Sequence, residues 1–579
     1  MLYTRKLLFF MIIGLAVLTV VIVRAWPQNL DCTKARNAIE ISIVYAPEED
    51  VYLQPAIHDF NCRFVEGVNP LTGAQLAMSE QPIYVTGRSG SSGIVHQGII
   101  NAVKGVDNSN VERPTIYSPA GSFWLTMVNY ESGQTIFAPA QSHPTALTPV
   151  VIAIWESRLK ALQAKHPNQL LGWEELLQVM KAPNGWQDYG LTGRKTVYYG
   201  HTNPYVSSTG LATLIAEFYA SARYHTQQKD VKQLTVAMVN DDAVQAGVRD
   251  LENMIKHYAE RTTEFKDYIA QGPDYVDFVA LQEDDLLYIN TGQAKVKPPE
   301  KLVALYPKEG TFWLEHPFAV PNADWVTPEQ RSAARVFTDY VLSEAVQSKV
   351  MAAGLRPALK SLKLAFPFTT EMGVDPQQPT NVFDTPAPDV ITAIQTSWQY
   401  VKKQADIALV IDTSGSMSGE KLQQAKAAAN LFLDKLDAQN RVALLTFNNT
   451  VYQSGPLNPA ENARPTLHET INSLAAGGGT ALYDGILAAA QAVANDDQGR
   501  IRVVIVLSDG QDTSSQHPLR AVTTLPRGAN NPLLIIPVAY GKDADLGVLN
   551  AIARFANTKV FTGDPQGITE LFQTLSSYF

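Results

Sequence analysis

The segment Asp406-Ile-Ala-Leu-Val-Ile-Asp-Thr-Ser-Gly-Ser-Met417 constrains this 579-residue chain more than any other stretch. Ile407 to Ile411 is an unbroken apolar run, which predicts a short strand buried on both faces of a parallel sheet. It ends in a turn carrying Asp412, Ser414 and Ser416, with a helix expected from Glu420. Three oxygen-bearing side chains at alternate positions, beyond the carboxyl end of a buried strand, suit a hard cation such as Mg2+. Such an ion takes oxygen ligands and keeps some positions for water or a partner. Alternation alone is a weak signal, because Ser and Asp are ordinary turn residues. Two later stretches strengthen it. Gly477-Gly-Gly-Thr480 is a flexible turn delivering one hydroxyl just before a helix, and Val503 to Asp509 is a second buried strand ending in a carboxylate.

These positions resemble the metal-ion-dependent adhesion site of the von Willebrand factor A family. The D-x-S-x-S element matches as Asp412, Ser414 and Ser416, the threonine as Thr480 and the distal aspartate as Asp509, within a resemblance spanning residues 404 to 579. The resemblance implies that Ser414, Ser416 and Thr480 contact Mg2+ directly, with Mn2+ or Ca2+ as alternatives. Asp412 and Asp509 would act directly or through water, and an open position would accept a carboxylate from a protein partner. The region itself alternates strand and helix: Arg441–Phe447, Leu482–Ala494, Asn531–Tyr540 and Leu546–Phe555. That pattern predicts a doubly wound, Rossmann-like parallel sheet with helices on both faces, and ligands beyond its carboxyl edge.

Residues 38 to 370 also read as α/β. Ile39 to Tyr45 is a strand, 48 to 64 a helix, and Ser89-Gly-Ser-Ser-Gly93 a small-residue loop before a helix near Ile94. Ser118 and Ser122 follow a third strand. Thr148-Pro-Val-Val-Ile-Ala-Ile154 is a buried crossing, and Ser207-Ser-Thr-Gly210 opens an apolar helix at Leu211 to Ala222. With Gly354-Leu-Arg-Pro357, that order resembles the two-lobed bacterial extracellular solute-binding proteins. Lobe one would comprise about 38–147 and 315–370, lobe two about 148–314, and 371–403 would be a linker. Two helix amino ends carrying Ser89, Ser91, Ser92 and Ser207, Ser208, Thr209, with Ser118 beside them, would suit a small anionic solute. The alternative is that each hydroxyl only caps its helix. Glu283-Asp284-Asp285 is expected as a solvated acidic turn.

Leu7 to Val23 is free of charge, with Arg5-Lys6 before it and Arg24 after it. It predicts an uncleaved signal anchor over residues 1–24, a cleaved signal peptide being the competing reading. Either way the bulk of the chain is exported, and the preferred anchor makes it a single-pass protein of the cell membrane with the bulk of the chain extracytoplasmic. In that setting the two cysteines, Cys32 and Cys62, either close one disulfide or remain two thiols, with the disulfide preferred. No CxxC or His-rich cluster offers a zinc site, and the ten histidines are scattered. A formal charge of -10 argues against nucleic acid as the main partner. With no Gly-x-Ser-x-Gly elbow, catalysis is not expected. The function expected is non-enzymatic binding at the cell surface: Mg2+-dependent protein binding or adhesion by the last domain and small-solute binding by the first. A solute-binding component of a membrane transport system is the alternative.

Overall fold

Every residue of Gln404–Asp412 after the first is buried, and successive side chains go into two different cores. Ile407, Leu409 and Ile411 face one apolar cluster, Ala408 and Val410 the other. Each large aliphatic side chain buried in this way contributes roughly 1.5–3 kcal/mol, so the strand is apolar throughout rather than alternating. The computed structural model describes residues 32–579 except 79, 107–109, 194, 196, 227–230, 257, 260, 495–498, 527–531, 557, 559, 566 and 577–578. The expected anchor at 1–24 lies outside the described residues. Among those described, no helix is long and apolar enough to cross a membrane.

Lobe one is built on β1 (Ile39–Tyr45), β2 (Ile83–Ser89) and β3 (Ile116–Ser118), parallel in the order β2-β1-β3. Helices α1 (Asp50–Val65), α2 (Ser92–Lys104) and α3 (Phe123–Ser132) follow those strands in turn. Cys62 of α1 forms a disulfide with Cys32, tying the preceding segment to that helix. The long strand β4 (His143–Trp155) then crosses between the lobes. Its first half pairs with β7 (Trp313–Phe318) and β8 (Arg356–Pro357), its second half with β5 (Phe278–Gln282) and β6 (Leu302–Leu305). Lobe two adds α4 (Ser208–Thr226), α5 (Asp242–Glu252) and α6 (Glu283–Asn290).

The acidic turn expected to be solvated is instead the first turn of α6 and is buried. It follows directly from the buried strand β5, and each carboxylate finds a partner. Arg356 forks onto Glu283 with two 2.7 Å hydrogen bonds, Thr148 donates to Asp284 at 2.8 Å, and Lys266 stands 3.5 Å from Asp285. Burial pushes the Asp284 carboxyl up to about 6, and Glu48 adds to the effect.

The segment expected as a linker contains α7 (Pro388–Val401), whose Val390, Ile391, Ile394 and Trp398 enter an apolar core shared by both lobes. The hydroxyl of Tyr205 donates to Gln395 O at 2.6 Å, and Gln395 Nε2 donates to Pro204 O at 3.1 Å. An amphipathic helix with four large apolar side chains in register is stable only when that face is covered, and both lobes cover it.

The last domain carries β9 (Gln404–Asp412), β10 (Arg441–Phe447), β11 (Val451–Gln453), β12 (Asn458–Pro459), β13 (Arg500–Ser508), β14 (Leu533–Tyr540) and β15 (Phe561–Gly563). The order is β11-β10-β9-β13-β14-β15, parallel except for β11 and β12, which pair antiparallel with β10. Helices α8 (Glu420–Lys435) and α11 (Ile568–Ser576) cover one face; α9 (Leu482–Ala492) and α10 (Leu546–Ala556) cover the other.

Candidate functional site

The loops after β9 and β13 leave the sheet side by side, because those strands pair in register up to Ile411 and Leu507. Their first polar residues are therefore neighbours. Asp412 is fully buried; its Oδ1 accepts the Ser414 N–H at 2.8 Å and its Oδ2 accepts the Ser508 hydroxyl at 2.7 Å. Ser414 Oγ lies 3.0 Å from Ser416 Oγ, and the Ser416 hydroxyl donates to Asp509 Oδ1 at 2.7 Å. Ser416 is exposed while Ser414 and Asp509 are buried, so the cluster opens to solvent at one rim.

Thr480 reaches the same spot through the glycine loop. Gly415 donates to Gly478 O at 3.0 Å and Gly477 donates to Thr413 O at 2.9 Å, which clamps the two loops together. Gly478 has φ +85°, a left-handed conformation that favours glycine, and Asn449 sits 3.0 Å from where its Cβ would be. Thr480 N–H donates to Thr513 Oγ1 at 2.9 Å, while Thr480 O accepts from the Thr513 and Ser514 N–H groups. A Cβ at Gly510 would lie 3.7 Å from both Ser416 Oγ and Thr480 Oγ1, so the two hydroxyls flank one small residue.

The donor set is thus all oxygen: three hydroxyls and two carboxylates, whose oxygens accept from Ser414, Ser508, Ser416 and Lys421. It fits a hard divalent cation in chemistry and in its open rim. Burial pushes the Asp412 carboxyl above the usual range; the Ser414 and Ser508 hydrogen bonds pull it back, and neighbouring Asp509 pushes it up further. Three contributors escape motif reading. Ser508 and Thr513 hold Asp412 and Thr480, and Lys421 in the first turn of α8 reaches Asp509. Ser508 adjoins the motif aspartate, but Lys421 has no distinguishing sequence context.

The two serine loops of the amino-terminal region also meet. Ser91, Ser92, Ser207 and Ser208 line one small cavity between the lobes, together with Glu48, Val206, Arg261 and Thr262. The cavity has about 20 Å3, room for roughly one water. The loops close on each other: the Gly93 N–H donates to Val206 O at 3.1 Å, and Trp124 Nε1 donates to Ser208 Oγ at 2.8 Å. Gln282 Nε2 of lobe two donates to Glu48 Oε1 of lobe one at 3.0 Å.

Three of the seven hydroxyl candidates stand away from the cavity wall. Ser89 ends β2 opposite Tyr45 and is exposed. Ser118 is fully buried and donates to Glu49 Oε1 at 2.8 Å, and Thr209 accepts from Gln282 at 3.0 Å. Ser91 occupies the N-cap of α2 without a side-chain capping bond. Glu48 and Arg261 share the cavity, so its charge is mixed rather than uniformly positive as two helix ends alone would make it.

Residues 406–573 match the family model of the von Willebrand factor type A domain, and residues 126–377 match that of the bacterial extracellular solute-binding protein. Among curated proteins, inter-alpha-trypsin inhibitor heavy chain H6 of Homo sapiens is 27% identical over 166 residues, covering 26% of this chain and 12% of that protein. Heavy chain H4 of Homo sapiens is 30% identical over 162 residues, covering 26% of this chain and 17% of that protein. The chain thus spans only a small part of the length of these relatives. Among solved structures, a periplasmic thiamin binding protein aligns with a TM-score of 0.42 at 11% identity, over 64% of this chain and 98% of that one. A von Willebrand factor type A structure from Catenulispora acidiphila aligns with a TM-score of 0.28 at 24% identity, over 30% and 42%.

Proposed function

We propose that this chain, which joins a region of the solute-binding-protein type to a von Willebrand factor A domain, is a non-enzymatic binding protein of a bacterial cell surface. Its last domain would capture a protein partner in a Mg2+-dependent manner. The observation that carries this reading is the convergence of Asp412, Ser414, Ser416, Thr480 and Asp509 on one oxygen-lined spot beyond the carboxyl edge of the sheet.

In this reading Ser414, Ser416 and Thr480 hold the ion through their hydroxyls, with Asp412 and Asp509 beside them. Mg2+ bound there supplies an electrophilic position at which a partner's Asp or Glu carboxylate completes the oxygen shell. Asp412 fixes the Ser414 backbone by accepting its N–H, and Asp509 orients the Ser416 hydroxyl. The exposed rim at Ser416 is the side from which a partner side chain would enter. The membrane tether rests on the apolar run Leu7 to Val23 in the sequence.

Calorimetric titration of the full-length chain with Mg2+, beside Asp412→Ala, tests the metal step. Saturable binding by the wild type, lost in the variant, is expected; absence of binding by the wild type sinks the reading. A second reading, solute delivery to a membrane transport system, draws support from the meeting of Ser91, Ser92, Ser207 and Ser208 between the lobes. It requires the lobes to part, since the cavity as it stands has room for roughly one water.

A further inference from the structure

Inside lobe two, three side chains far apart in sequence meet: His201 on the loop before α4, Glu217 on α4 and Glu252 at the end of α5. All three have no solvent exposure, and one ligand atom from each lies within 4.8 Å of the others. His201 Nδ1 is 2.7 Å from Thr202 O. A carbonyl only accepts, so Nδ1 carries the proton and donates. That leaves Nε2 facing Glu252 Oε1 at 2.9 Å. The Tyr258 hydroxyl donates to the other oxygen of Glu252, and the Tyr199 hydroxyl donates to Glu217 Oε1 at 2.8 Å. The remaining oxygen, Glu217 Oε2, is buried and has no hydrogen-bond partner.

These groups need positive charge among them. Among the described residues, neither carboxylate forms an ion pair with an arginine or a lysine. With its proton on Nδ1, the neutral ring would point a lone pair at a carboxylate oxygen. An added proton on Nε2 repairs that single contact, and Glu217 Oε2 then needs a proton of its own if it is not to stand buried and unsatisfied, a costly state. A divalent cation satisfies imidazole nitrogen and both carboxylates together. The surrounding bonds have the form that metal ligands take. The histidine is oriented by a backbone carbonyl on its far nitrogen, and each carboxylate is braced by a tyrosine.

We propose that His201, Glu217 and Glu252 bind a structural divalent transition-metal ion. Zn2+ is the ion best matched to one imidazole and two carboxylates. Full enclosure makes the ion part of the folded lobe, acquired on folding rather than exchanged with solvent. It pins α4 and α5 to the loop that carries Ser207 into the cleft. The Tyr258 hydroxyl also accepts the Lys403 N–H at 3.0 Å, so the bracing of the site extends to the residue just before β9.

The test is metal content of the full-length chain after dialysis against a chelator, beside Glu217→Gln and Asp412→Ala. One retained equivalent of Zn2+ is expected in the wild type and in Asp412→Ala, and at least a tenfold lower content in Glu217→Gln. That variant keeps side-chain size and an oxygen for Tyr199, so it is expected to fold. Refolding with Co2+ should give the wild type, and not Glu217→Gln, a visible d–d absorption band. Refolding with Zn2+ should raise the melting temperature of the wild type alone. A wild type refolded with excess Zn2+ or Co2+ that retains neither ion, or folded Glu217→Gln and Glu252→Gln proteins that both retain the full equivalent, overturns the proposal.

Discussion

The ammonium of Lys421 lies 2.6 Å from Asp509 Oδ2, on the opposite oxygen of the carboxylate that receives the Ser416 hydroxyl. One carboxylate thus bridges a fixed cation and the hydroxyl cluster. Burial alone would lower the ammonium's pKa, but the hydrogen bond and charge of Asp509, with Asp543 behind it, raise it, so Lys421 stays charged. A positive charge held at the edge of a cation site repels a second cation. Lys421→Ala is expected to tighten Mg2+ binding about fivefold, from roughly 1 kcal/mol of relieved repulsion at a solvent-screened separation. Calorimetry reads this directly; weaker binding in the variant would show instead that Lys421 is needed to position Asp509.

Asp406 anchors the opposite, amino edge of the same sheet. It is fully buried and takes Arg441 Nε and Arg500 Nε at 2.6 Å each. Removing it takes away the carboxylate that two guanidinium groups share. Asp406→Ala should cost roughly 3 kcal/mol, the low end for buried pairs, because the Arg441 side chain is 31% exposed. Burial raises the Asp406 pKa, but the two arginines more than reverse this and the net shift is downward. The pair's contribution is therefore present above the unfolded carboxylate pKa of about 4 and is lost as pH falls through the lower folded value. Urea unfolding at neutral and acid pH measures both; a variant within experimental error of the wild type at neutral pH would refute the anchoring role.

Gly93 reports on lobe closure. A Cβ there would lie 1.9 Å from the backbone oxygen of Tyr205 across the cleft. No rotamer can relieve a clash with backbone, so the lobes must separate. Within a helix, Gly to Ala normally gains roughly 0.5–1 kcal/mol. Gly93→Ala should reverse that sign, lowering stability and enlarging the radius of gyration in X-ray scattering. A gain in stability with no expansion would mean that the lobes do not meet there.

Lys403 is buried at the junction with the last domain, and its ammonium has no carboxylate partner among the described residues. Burial pushes it down to about 8 from 10.5. Below pH 8 both folded and unfolded chains carry the proton, and the folded chain bears the full cost of burying it. Between about 8 and 10.5 only the unfolded chain is protonated, so stability rises with pH. Lys403→Met should therefore be more stable than the wild type at pH 7, by up to about 3 kcal/mol. The gap should close toward pH 10.5. Urea unfolding at pH 7 and pH 10 checks both ends; no stabilisation at pH 7 would place the ammonium against water or a counter-ion.

Much of the last domain was legible because its information is local. The run Ile407 to Ile411 announced a strand covered on both faces, and the two cores that divide its side chains are the reason for the absence of alternation. Asp412, Ser414 and Ser416 are within five residues of one another, and Asp509 directly follows a strand of the same type. The amino-terminal region was legible as elements and only in part as a cleft. Ser91, Ser92, Ser207 and Ser208 did reach a common cavity, whereas Ser89 is exposed and Ser118 and Thr209 took other partners that hydroxyl content could not foretell.

What the sequence determined by itself was the identity of the elements and the chemistry of the loop ends, since periodicity and turn residues act within a few positions. Tertiary structure alone decided which distant groups share a space. It buried Glu283, Asp284 and Asp285 against Arg356, Thr148 and Lys266, and placed α7 across both lobes. It set Lys421 on Asp509 and enclosed His201, Glu217 and Glu252 together despite their scatter along the chain. The physical reason is the same in each case. Desolvation and charge pairing depend on distance through space, and a linear pattern does not encode that distance when the partners come from separate strands and helices.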